Sequence, residues 1–495
     1  MIHFDCRGRI IRGSCFLKNI CCLGRWAIQE NGGKRMKKAM TREERYTMMI
    51  ETPVDKLIPK LAVPTIISML VTSIYNMADT FFVSQISTSA SAAVGIIFSV
   101  QAMIQAIGFM LGMGSGNCIS RTLGSRDDER AERIAATGFF TALIIGVLFC
   151  VCGLSMLNPL VRFLGATDTI APYAKEYGQY ILLAAPIMMG SFVLNNLLRA
   201  QGYAFNSMIG ITTGGIINMI LDPILIFGFD MGIAGAAIAT AVSQCISFSI
   251  LLYQTSTKEG CIRLKLSKFS PKFNILGPIL HAGVPSLCRQ GLASVATMIL
   301  NVAANPFGDA AIAAMSIVSR YMMFINSALI GFGQGFQPVC GFNFGAKRYD
   351  RVLEAFWFCL KVAVIMLTTL GAISFLGAEQ ILTMFRKDDL DVIAIGTVAL
   401  RFQCMTMPLQ AWIIMSNMLT QSIGYGFRAS ILSSGRQGIC LIPPLLILPG
   451  IIGIMGLQMS QAISDVLTSL IAVVIMAQIL RELKGKANEQ AAQMK

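Results

Sequence analysis

Charged side chains are scarce in this sequence: Asp, Glu, Lys and Arg make up 13% of the 495 residues, while hydrophobic residues make up 55%. A soluble protein of this length typically has about 25% charged residues to cover its surface. Only two histidines are present, His3 and His281, so a histidine-based metal site or proton relay is excluded. Gly345-Ala346-Lys347 is not followed by Ser or Thr, so it is not a phosphate-binding loop. These deficits exclude a soluble ATPase and indicate a membrane protein.

Residues for catalytic chemistry are missing as well. The 14 cysteines have no paired spacing that would indicate a disulfide framework or a zinc site. The sequence shows no nucleophile paired with a base, so we do not expect an enzyme. The formal net charge of +14 does not indicate a nucleic-acid partner, because the basic residues lie in alternate loops between apolar segments.

Apolar segments long enough to cross a bilayer recur from residue 57 to residue 480. They lack the alternation of a transmembrane β-barrel, and only helices satisfy their own backbone hydrogen bonds in lipid. The sequence therefore predicts an all-α, polytopic membrane protein. We predict twelve helices, near 57–83, 89–117, 131–157, 171–198, 204–228, 232–254, 274–304, 308–337, 350–376, 392–421, 428–449 and 453–480.

Basic residues concentrate in alternate loops, as membrane orientation rules require. One set of loops contains most of them: Arg121, Arg126, Arg130, Arg133, Arg199, Lys258, Arg263, Lys265, Lys268, Lys272, Lys347, Arg348, Arg351, Arg428 and the tail after Arg481. The other set contains only Arg162, Lys175, Arg386 and Lys387. We therefore expect the first set and both termini to be cytoplasmic, in the inner (cytoplasmic) membrane of a bacterium.

The two halves of the chain repeat each other at a shift of 221 or 222 residues. Matching positions include Pro64 and Pro285, Gly112 and Gly333, Gly124 and Gly345, Arg130 and Arg351, Pro186 and Pro408, Asn195 and Asn417, Gly202 and Gly424, and Gly232 and Gly453. Six helices per repeat is an even number, so both halves enter the membrane from the same side. We therefore expect two pseudo-symmetric lobes, with substrate bound between them.

The repeat sets the expected domain boundaries. The N-lobe spans 57–256 and the C-lobe spans 274–480, joined by a basic cytoplasmic loop at 257–273. Cytoplasmic tails are expected at 36–56 and 481–495.

Two aspartates stand out inside the apolar segments of the N-lobe. Asp79 lies near the end of helix 1, and Asp222 lies in helix 5, four residues after Asn218 on the same helix face. A carboxylate at membrane depth is expensive, and its default interpretation is functional. Loss of water favours the neutral carboxylic acid, which makes proton uptake feasible. The same oxygens could instead bind Na⁺, and the sequence leaves H⁺ and Na⁺ open as coupling ions.

The C-lobe differs in its charged residues. Asp465 in helix 12 has no evident polar partner one turn away, so we expect it to pair with a nearby arginine rather than to bind an ion. Arg289, Arg320 and Arg436 also lie within apolar segments. We expect them to bond backbone carbonyls or to extend toward the cytoplasmic surface.

Several segments resemble the multidrug and toxic compound extrusion (MATE) family, over about residues 50–480. Helix 1 (AVPTIISMLVTSIYNMADTFFVS) is similar to the first helix of that family, and GSGNCISRTLGSRD to its loop after helix 2. The run LDPILIFGFDMGIAGAAIATAVS is close to MepA-type members. The resemblance implies two six-helix lobes that form a V.

The resemblance also implies which residues couple transport to an ion. Matched by motif, these are Asp79, Asn218, Asp222 and Thr240, with a possible Na⁺ held by the first three. Tyr180 and Asn195 on helix 4 complete the implied set.

These observations together predict a secondary active multidrug exporter that works by alternating access, since no ATPase is present. We expect mostly lipophilic cations as substrates, with Gln290, Met322, Gln410 and Met415 lining the substrate cavity. No cofactor beyond the coupling ion is expected, and the protein is predicted to be a monomer in the lipid bilayer. The alternative is a lipid-linked oligosaccharide flippase of the same superfamily.

The first 35 residues are basic, lack periodicity and do not resemble a signal peptide. Gly32-Gly33-Lys34 is what a purine-rich ribosome-binding site would encode if translated in frame. We therefore predict that translation begins at Met36 or Met40, and that 1–35 would be disordered if made. The intact mass of protein expressed from its native upstream DNA tests this, and a product starting at Met1 would refute it.

Overall fold

The computed structural model describes residues 41–257, 262–386 and 389–493, and within these ranges the ordered elements are all helical. Twelve helices are long and apolar enough to cross a membrane, which confirms the predicted fold class. They are α1 (Val54–Ser84), α2 (Thr88–Gly124), α3 (Asp128–Ser155), α4 (Ala171–Ala200), α5 (Ala204–Pro223), α6 (Gly232–Thr257), α7 (Phe273–Ala304), α8 (Asp309–Gly345), α9 (Tyr349–Leu376), α10 (Leu390–Ser422), α11 (Gly426–Ser434, resuming at Ile442–Ile452) and α12 (Ile454–Gln493). The expected extension 1–35 lies outside the described residues.

Shorter elements lie between and within these helices. Short helices span Arg42–Glu51, Leu157–Phe163 and Ala378–Phe385, and single 3₁₀ turns span Leu266–Lys268 and Asn305–Phe307. A π-helical turn, Ile224–Gly228, extends α5, and another, Gly435–Ile439, interrupts α11. The turn in α5 follows Pro223, which has no N–H to donate to the carbonyl of Met219 one turn earlier.

Several helices run past their predicted ends. The apolar pattern ended helix 2 at 117, helix 8 at 337 and helix 12 at 480, whereas α2, α8 and α12 continue to Gly124, Gly345 and Gln493. The added turns of α2 and α8 contain small and polar residues that are buried between the two halves of the protein rather than in lipid. The expected tail 481–495 is helical to Gln493, because its Lys, Glu and Ala residues are good helix formers.

Contacts between helices divide the protein into two lobes. In the N-lobe, α4 packs on α2, α3 and α6, while α5 packs on α1 and α6. In the C-lobe, α10 packs on α8, α9 and α12, while α11 packs on α7 and α12. Each contact in one lobe has its equivalent six helices later in the other. The repeated turns also match: Gly202 and Gly424 both have positive φ (83° and 96°), as do Arg126 and Lys347 (60° and 59°).

The lobes meet where α2 contacts α7 and α8, and where α1 contacts α8. The tightest contacts lie toward the end of the bundle that carries the basic loops, here called the basic end. A Cβ on Gly124 would lie 2.1 Å from the carbonyl oxygen of Phe342, and one on Gly345 would lie 1.9 Å from that of Arg121. These contacts are equivalent under the repeat, because Phe342 matches Arg121. Only glycine allows this approach, and we call this contact region the seam.

Toward the opposite end, the faces of α1 and α8 that meet at the seam separate from each other. On α8, Gly331 packs on Ile66 of α1, and Ser327 Oγ lies 2.6 Å from Ser73 Oγ. Farther along this face, Phe324 and Arg320 are exposed. We call the uncovered space between α1, α2, α7 and α8 the cleft. The lobes are therefore joined at the basic end and separate at the other.

The short helix Arg42–Glu51 lies across the basic end and contacts both lobes. Arg42 pairs with Asp128 of α3 at 3.1 Å. On the other side, the backbone oxygens of Met49 and Thr52 accept hydrogen bonds from Asn343 Nδ2 (3.2 Å) and Arg351 Nη2 (2.6 Å). This helix therefore bridges the lobes in the conformation with the seam closed.

Substitution of Gly124 by alanine is predicted to loosen the seam. The added methyl group would meet the Phe342 carbonyl, and overpacking of this kind costs about 1–3 kcal/mol. We expect Gly124→Ala to lower the melting temperature of the purified protein by a few degrees. Gly95→Ala on the same helix is the matched control, since no described atom beyond its own stretch of helix lies within 4 Å of its Cβ position. Equal melting temperatures for the two variants would contradict the seam as described.

Candidate functional site

The strongest candidate site lies inside the N-lobe, where α5 faces α6. Asp222 is fully buried, and Asn218 one turn earlier on α5 donates from Nδ2 to Asp222 Oδ1 at 3.2 Å. The same nitrogen lies 3.4 Å from Thr240 Oγ1 on α6. The spacing of four residues aligns Asn218 with Asp222, and the proline after Asp222 ends the regular helix there. Three of the predicted coupling residues thus form one hydrogen-bonded group.

Asp79, on the neighbouring helix α1, is the fourth residue of this group. It lies five residues before the end of α1, close enough to Asp222 for the two carboxylates to repel each other. One turn earlier, the ring of Tyr75 lies against Gly215 of α5, where a Cβ would be only 3.1 Å from the ring. Because Gly215 has no side chain, α1 can pack closely against α5 at this point. We call Asp79, Asn218, Asp222 and Thr240 the carboxylate site.

The carboxylate site has more acceptors than donors. Within the described chain, no donor reaches three of its buried oxygens, which are Asp79 Oδ1, Asn218 Oδ1 and Asp222 Oδ2. Buried polar atoms in folded proteins are nearly always paired, so unpaired acceptors need an explanation. Two nearby carboxylates with free lone pairs attract either a proton or a hard cation.

Both ions fit the residues present. A proton on Asp222 or Asp79 would supply a missing donor and remove the repulsion between the carboxylates. Na⁺ would find carboxylate and amide oxygens, and the Met219 carbonyl lacks its usual helical partner because of Pro223. The described residues contain no cluster of three or more Cys, His, Asp or Glu side chains that could hold a metal ion.

A tyrosine other than the predicted one lies beside the carboxylates. Tyr177 on α4 is 1% exposed, and both Asp79 and Asp222 act on it electrostatically. Tyr180, which the family resemblance implied, lies almost one turn farther along α4, and nothing in the described chain links it to the carboxylates. The coupling role of Tyr180 stays a prediction from the family resemblance, while Tyr177 is the α4 tyrosine on which both carboxylates act.

Asn195 also lies elsewhere. Its Nδ2 donates to Ser207 Oγ at 2.5 Å, near the start of α5. Ser207 is about four turns from Asp222 along that helix, or about 22 Å. Its repeat partner Asn417 makes the equivalent bonds, to the Ala429 oxygen at 2.7 Å and to Ser433 Oγ at 2.8 Å. The shared pattern shows that Asn195 holds adjacent helices together, and its coupling role stays a prediction from the family resemblance.

The C-lobe contains a buried acid whose oxygens, unlike those of the carboxylate site, are bonded by several donors. Asp465 is fully buried and pairs with Arg436 Nε at 2.8 Å. Gln410 Nε2, Thr406 Oγ1 and Gln461 Nε2 lie 2.8, 3.2 and 3.4 Å from its oxygens. The expected arginine partner is therefore present, but the expectation of no polar partner one turn away is wrong, because Gln461 is that partner. Arg436 bonds this acid rather than a carbonyl, so the pair is a fixed link between α10, α11 and α12.

The predicted substrate-cavity residues do not gather in the cleft. Met322 and Met415 are 4% and 0% exposed and belong to the apolar core of the C-lobe, where Met415 packs against Gly333. Gln410 bonds Asp465. Gln290 alone of the four is partly exposed, on α7 beside the seam. Met-rich segments at helical spacing served here as core filling, which sequence alone could not distinguish from a binding surface.

A family model and a curated relative both match most of this chain. The family model MatE matches residues 64–224 and 285–444, two segments that start 221 residues apart. The chain is 26% identical over 435 residues to the multidrug export protein MepA of Staphylococcus saprophyticus subsp. saprophyticus, covering 88% of this chain and 96% of that protein. The double match agrees with the internal repeat.

Solved structures agree at the level of the whole fold. One, described as the outward-facing conformation of a multidrug resistance MATE family transporter of the MOP superfamily, has a TM-score of 0.84, 27% identity, and coverage of 92% of this chain and 100% of that chain. Another, a MOP superfamily transporter from Pyrococcus furiosus, is described by a reverse polarity of its binding pocket that suggests a different function. It has a TM-score of 0.83, 27% identity and coverage of 91% and 100%.

The excess of acceptors predicts an unusual effect of Asp222→Asn on stability. The substituted amide would supply donors to the unpaired oxygens and remove a buried charge. We expect this variant to melt at a higher temperature than the original protein in sodium-free, alkaline buffer. Asp168→Asn is the control, because Asp168 is exposed in a loop and should change the melting temperature little. A lower melting temperature for Asp222→Asn would show that the carboxylate is already paired.

Proposed function

The chain belongs to the MATE family of transporters, and on that premise we propose that it is a secondary active exporter coupled to protons or sodium at the carboxylate site. The family match confirms the resemblance seen in the sequence. The protein is a multi-pass membrane transporter and not an enzyme, and its relatives include multidrug export proteins. Ion coupling and antiport are the further steps that we propose.

The observation that carries the coupling proposal is the set of unpaired oxygens at Asp79, Asn218 and Asp222. A fixed structural ion pair would fill these positions with donors, as Arg436 and Gln410 do for Asp465. Acceptors without donors instead provide a site whose stability depends on the bound ion. Each charge that crosses the membrane can supply about 2.3 kcal/mol per 100 mV of membrane potential.

We propose that the transport cycle uses the seam and the cleft in turn. If the basic end is cytoplasmic, as the loop charges predict, the described conformation opens to the outside. External protons or sodium would then reach Asp79 and Asp222 and neutralise their repulsion. Helix α1 carries Asp79 and contains Pro64 in its interior, so it can bend when its contacts with α5 change. That repacking would release the drug and allow the seam to open.

The substrates that we propose are small lipophilic molecules, including organic cations. A drug cation and a coupling cation would both be attracted to the same N-lobe carboxylates, so binding of one would disfavour the other. This competition is the thermodynamic requirement for antiport, because each ligand must favour a different conformation. We propose that the protein works as a monomer, since each chain contains both lobes and a complete carboxylate site.

Removal of either carboxylate is predicted to abolish gradient-driven export. Asp79→Asn and Asp222→Asn keep the side-chain volume but cannot exchange a charge with the coupling ion. We expect ethidium efflux from cells that express either variant to fall to the level of cells without the transporter. Asp168→Asn should export at the original rate, and undiminished efflux in both site variants would refute the assignment.

The same assay in vesicles identifies the ion. An imposed proton gradient or an imposed sodium gradient, applied separately, should drive ethidium transport in only one case if coupling is specific. Transport that is independent of both gradients would contradict secondary active coupling.

A further inference from the structure

Arg289 is an arginine in the middle of a membrane-spanning helix without a matching acid. It lies halfway along α7, and its Nη2 is 3.8 Å from the sulfur of Met113 on α2. Its Nε is buried, and no acceptor of the described chain bonds it. A guanidinium at membrane depth is costly and normally bonds an acid or backbone carbonyls. A thioether sulfur is only a weak acceptor, so this partner does not account for the arginine.

Three other arginines in or at the ends of the helices bond strong oxygen acceptors. Arg436 pairs with Asp465, Arg121 donates to the Ser422 carbonyl at 2.9 Å, and Arg199 bonds Gln334 and Asn196. The expectation that Arg289 bonds a carbonyl is therefore not met, although its neighbours show that such bonds are available in this fold. Arg289 thus differs from arginines that serve only to link helices.

Arg289 lies at the boundary between the seam and the cleft. Ser286, one turn earlier on α7, contacts Met113 at 3.1 Å within the seam, whereas Ser294 and Thr297 farther along α7 are exposed. Arg289 is partly exposed between these two regions, and this position is the floor of the cleft.

A second arginine lines the same cleft on α8. Arg320 precedes Gly331 by eleven residues, or about three turns, so both lie on the face that meets α1 at the seam. Arg320 is exposed on this face, and no ion pair joins it to any residue that the structure describes. The C-lobe side of the cleft therefore carries two arginines at different depths, with Arg289 closer to the seam than Arg320.

Nearby acids do not balance these charges. Asp222 is fully buried inside the N-lobe, and Asp465 is bonded by its own partners in the C-lobe. Asp79 of α1 is partly exposed, and within the described chain no ion pair joins it to Arg289 or Arg320. An anionic group that enters the cleft would find guanidinium donors in a region with little water. Arginine binds carboxylates through strong, often bidentate hydrogen bonds, which gain strength at low dielectric.

We propose that Arg289 binds the carboxylate of an amphipathic substrate at the floor of the cleft. This inference rests on the proposed export function. It adds zwitterions and organic anions to the proposed substrates. A zwitterion would place its cationic end toward the N-lobe and its carboxylate on α7, so that both lobes recognise one molecule.

Binding to the purified full-length protein in lipid-free detergent tests this directly. The probes are a fluoroquinolone zwitterion and its methyl ester, which keeps the cationic amine but lacks the carboxylate. We expect the original protein to bind the acid about tenfold more tightly than the ester, as a charge-assisted hydrogen bond provides. Arg289→Gln should bring this ratio close to one, while Arg289→Lys should keep part of it. Ethidium, which has no carboxylate, should bind all three proteins within twofold.

A matched control is Arg401→Gln, because Arg401 is an exposed arginine of α10 stacked over Phe375 and away from the cleft. It should leave the acid-to-ester ratio unchanged. An unchanged ratio in Arg289→Gln would overturn the proposal, as would an equal loss of all three ligands in both Arg289 variants. A preference for the acid that appears only when phospholipid is added would assign the arginine to a lipid phosphate instead. Since binding is measured without a gradient, failure of ion-coupled export would leave this test intact.

Discussion

Two neighbouring carboxyl groups, one fully buried and one partly exposed, with too few donors around them are the constraint on which this structure depends. Asp79 and Asp222 belong to different helices and repel each other when both are charged. The cost of that arrangement is removed by a proton or a cation, and it returns when the ion leaves. On the function that we propose, the packing of α1 against α5 would therefore depend on occupancy of the site, which is the property a coupled transporter requires.

The two lobes show how the number of donors decides the role of a buried aspartate. Asp465 and Asp222 are both fully buried in repeats of similar architecture. Arg436 and Gln410 bond the first, while one oxygen of the second has no partner in the described chain. A saturated carboxylate fixes its helices in place, whereas an unsaturated one can gain and lose a ligand. The backbone repeat is thus symmetric, but its chemistry is not.

Much of this fold could be read from the sequence, because the bilayer restricts the choices. Helix number and the repeat follow from apolar runs and from glycines such as Gly124 and Gly345, whose contacts match across the seam. The four-residue spacing of Asn218 and Asp222 predicted their contact. The choice between Tyr177 and Tyr180, the packing role of Asn195, and the burial of Met415 depend on which neighbour each helix face meets. Sequence periodicity gives a face but not its neighbour.

Release of ions on drug binding tests the central claim most directly. Purified protein in weakly buffered solution would be mixed with a lipophilic cation while free protons and sodium ions are monitored. Competition at the carboxylate site predicts that the original protein releases one of these ions as the drug binds, and that the variant with both Asp79→Asn and Asp222→Asn releases neither. Drug binding without any ion release from the original protein would contradict the account.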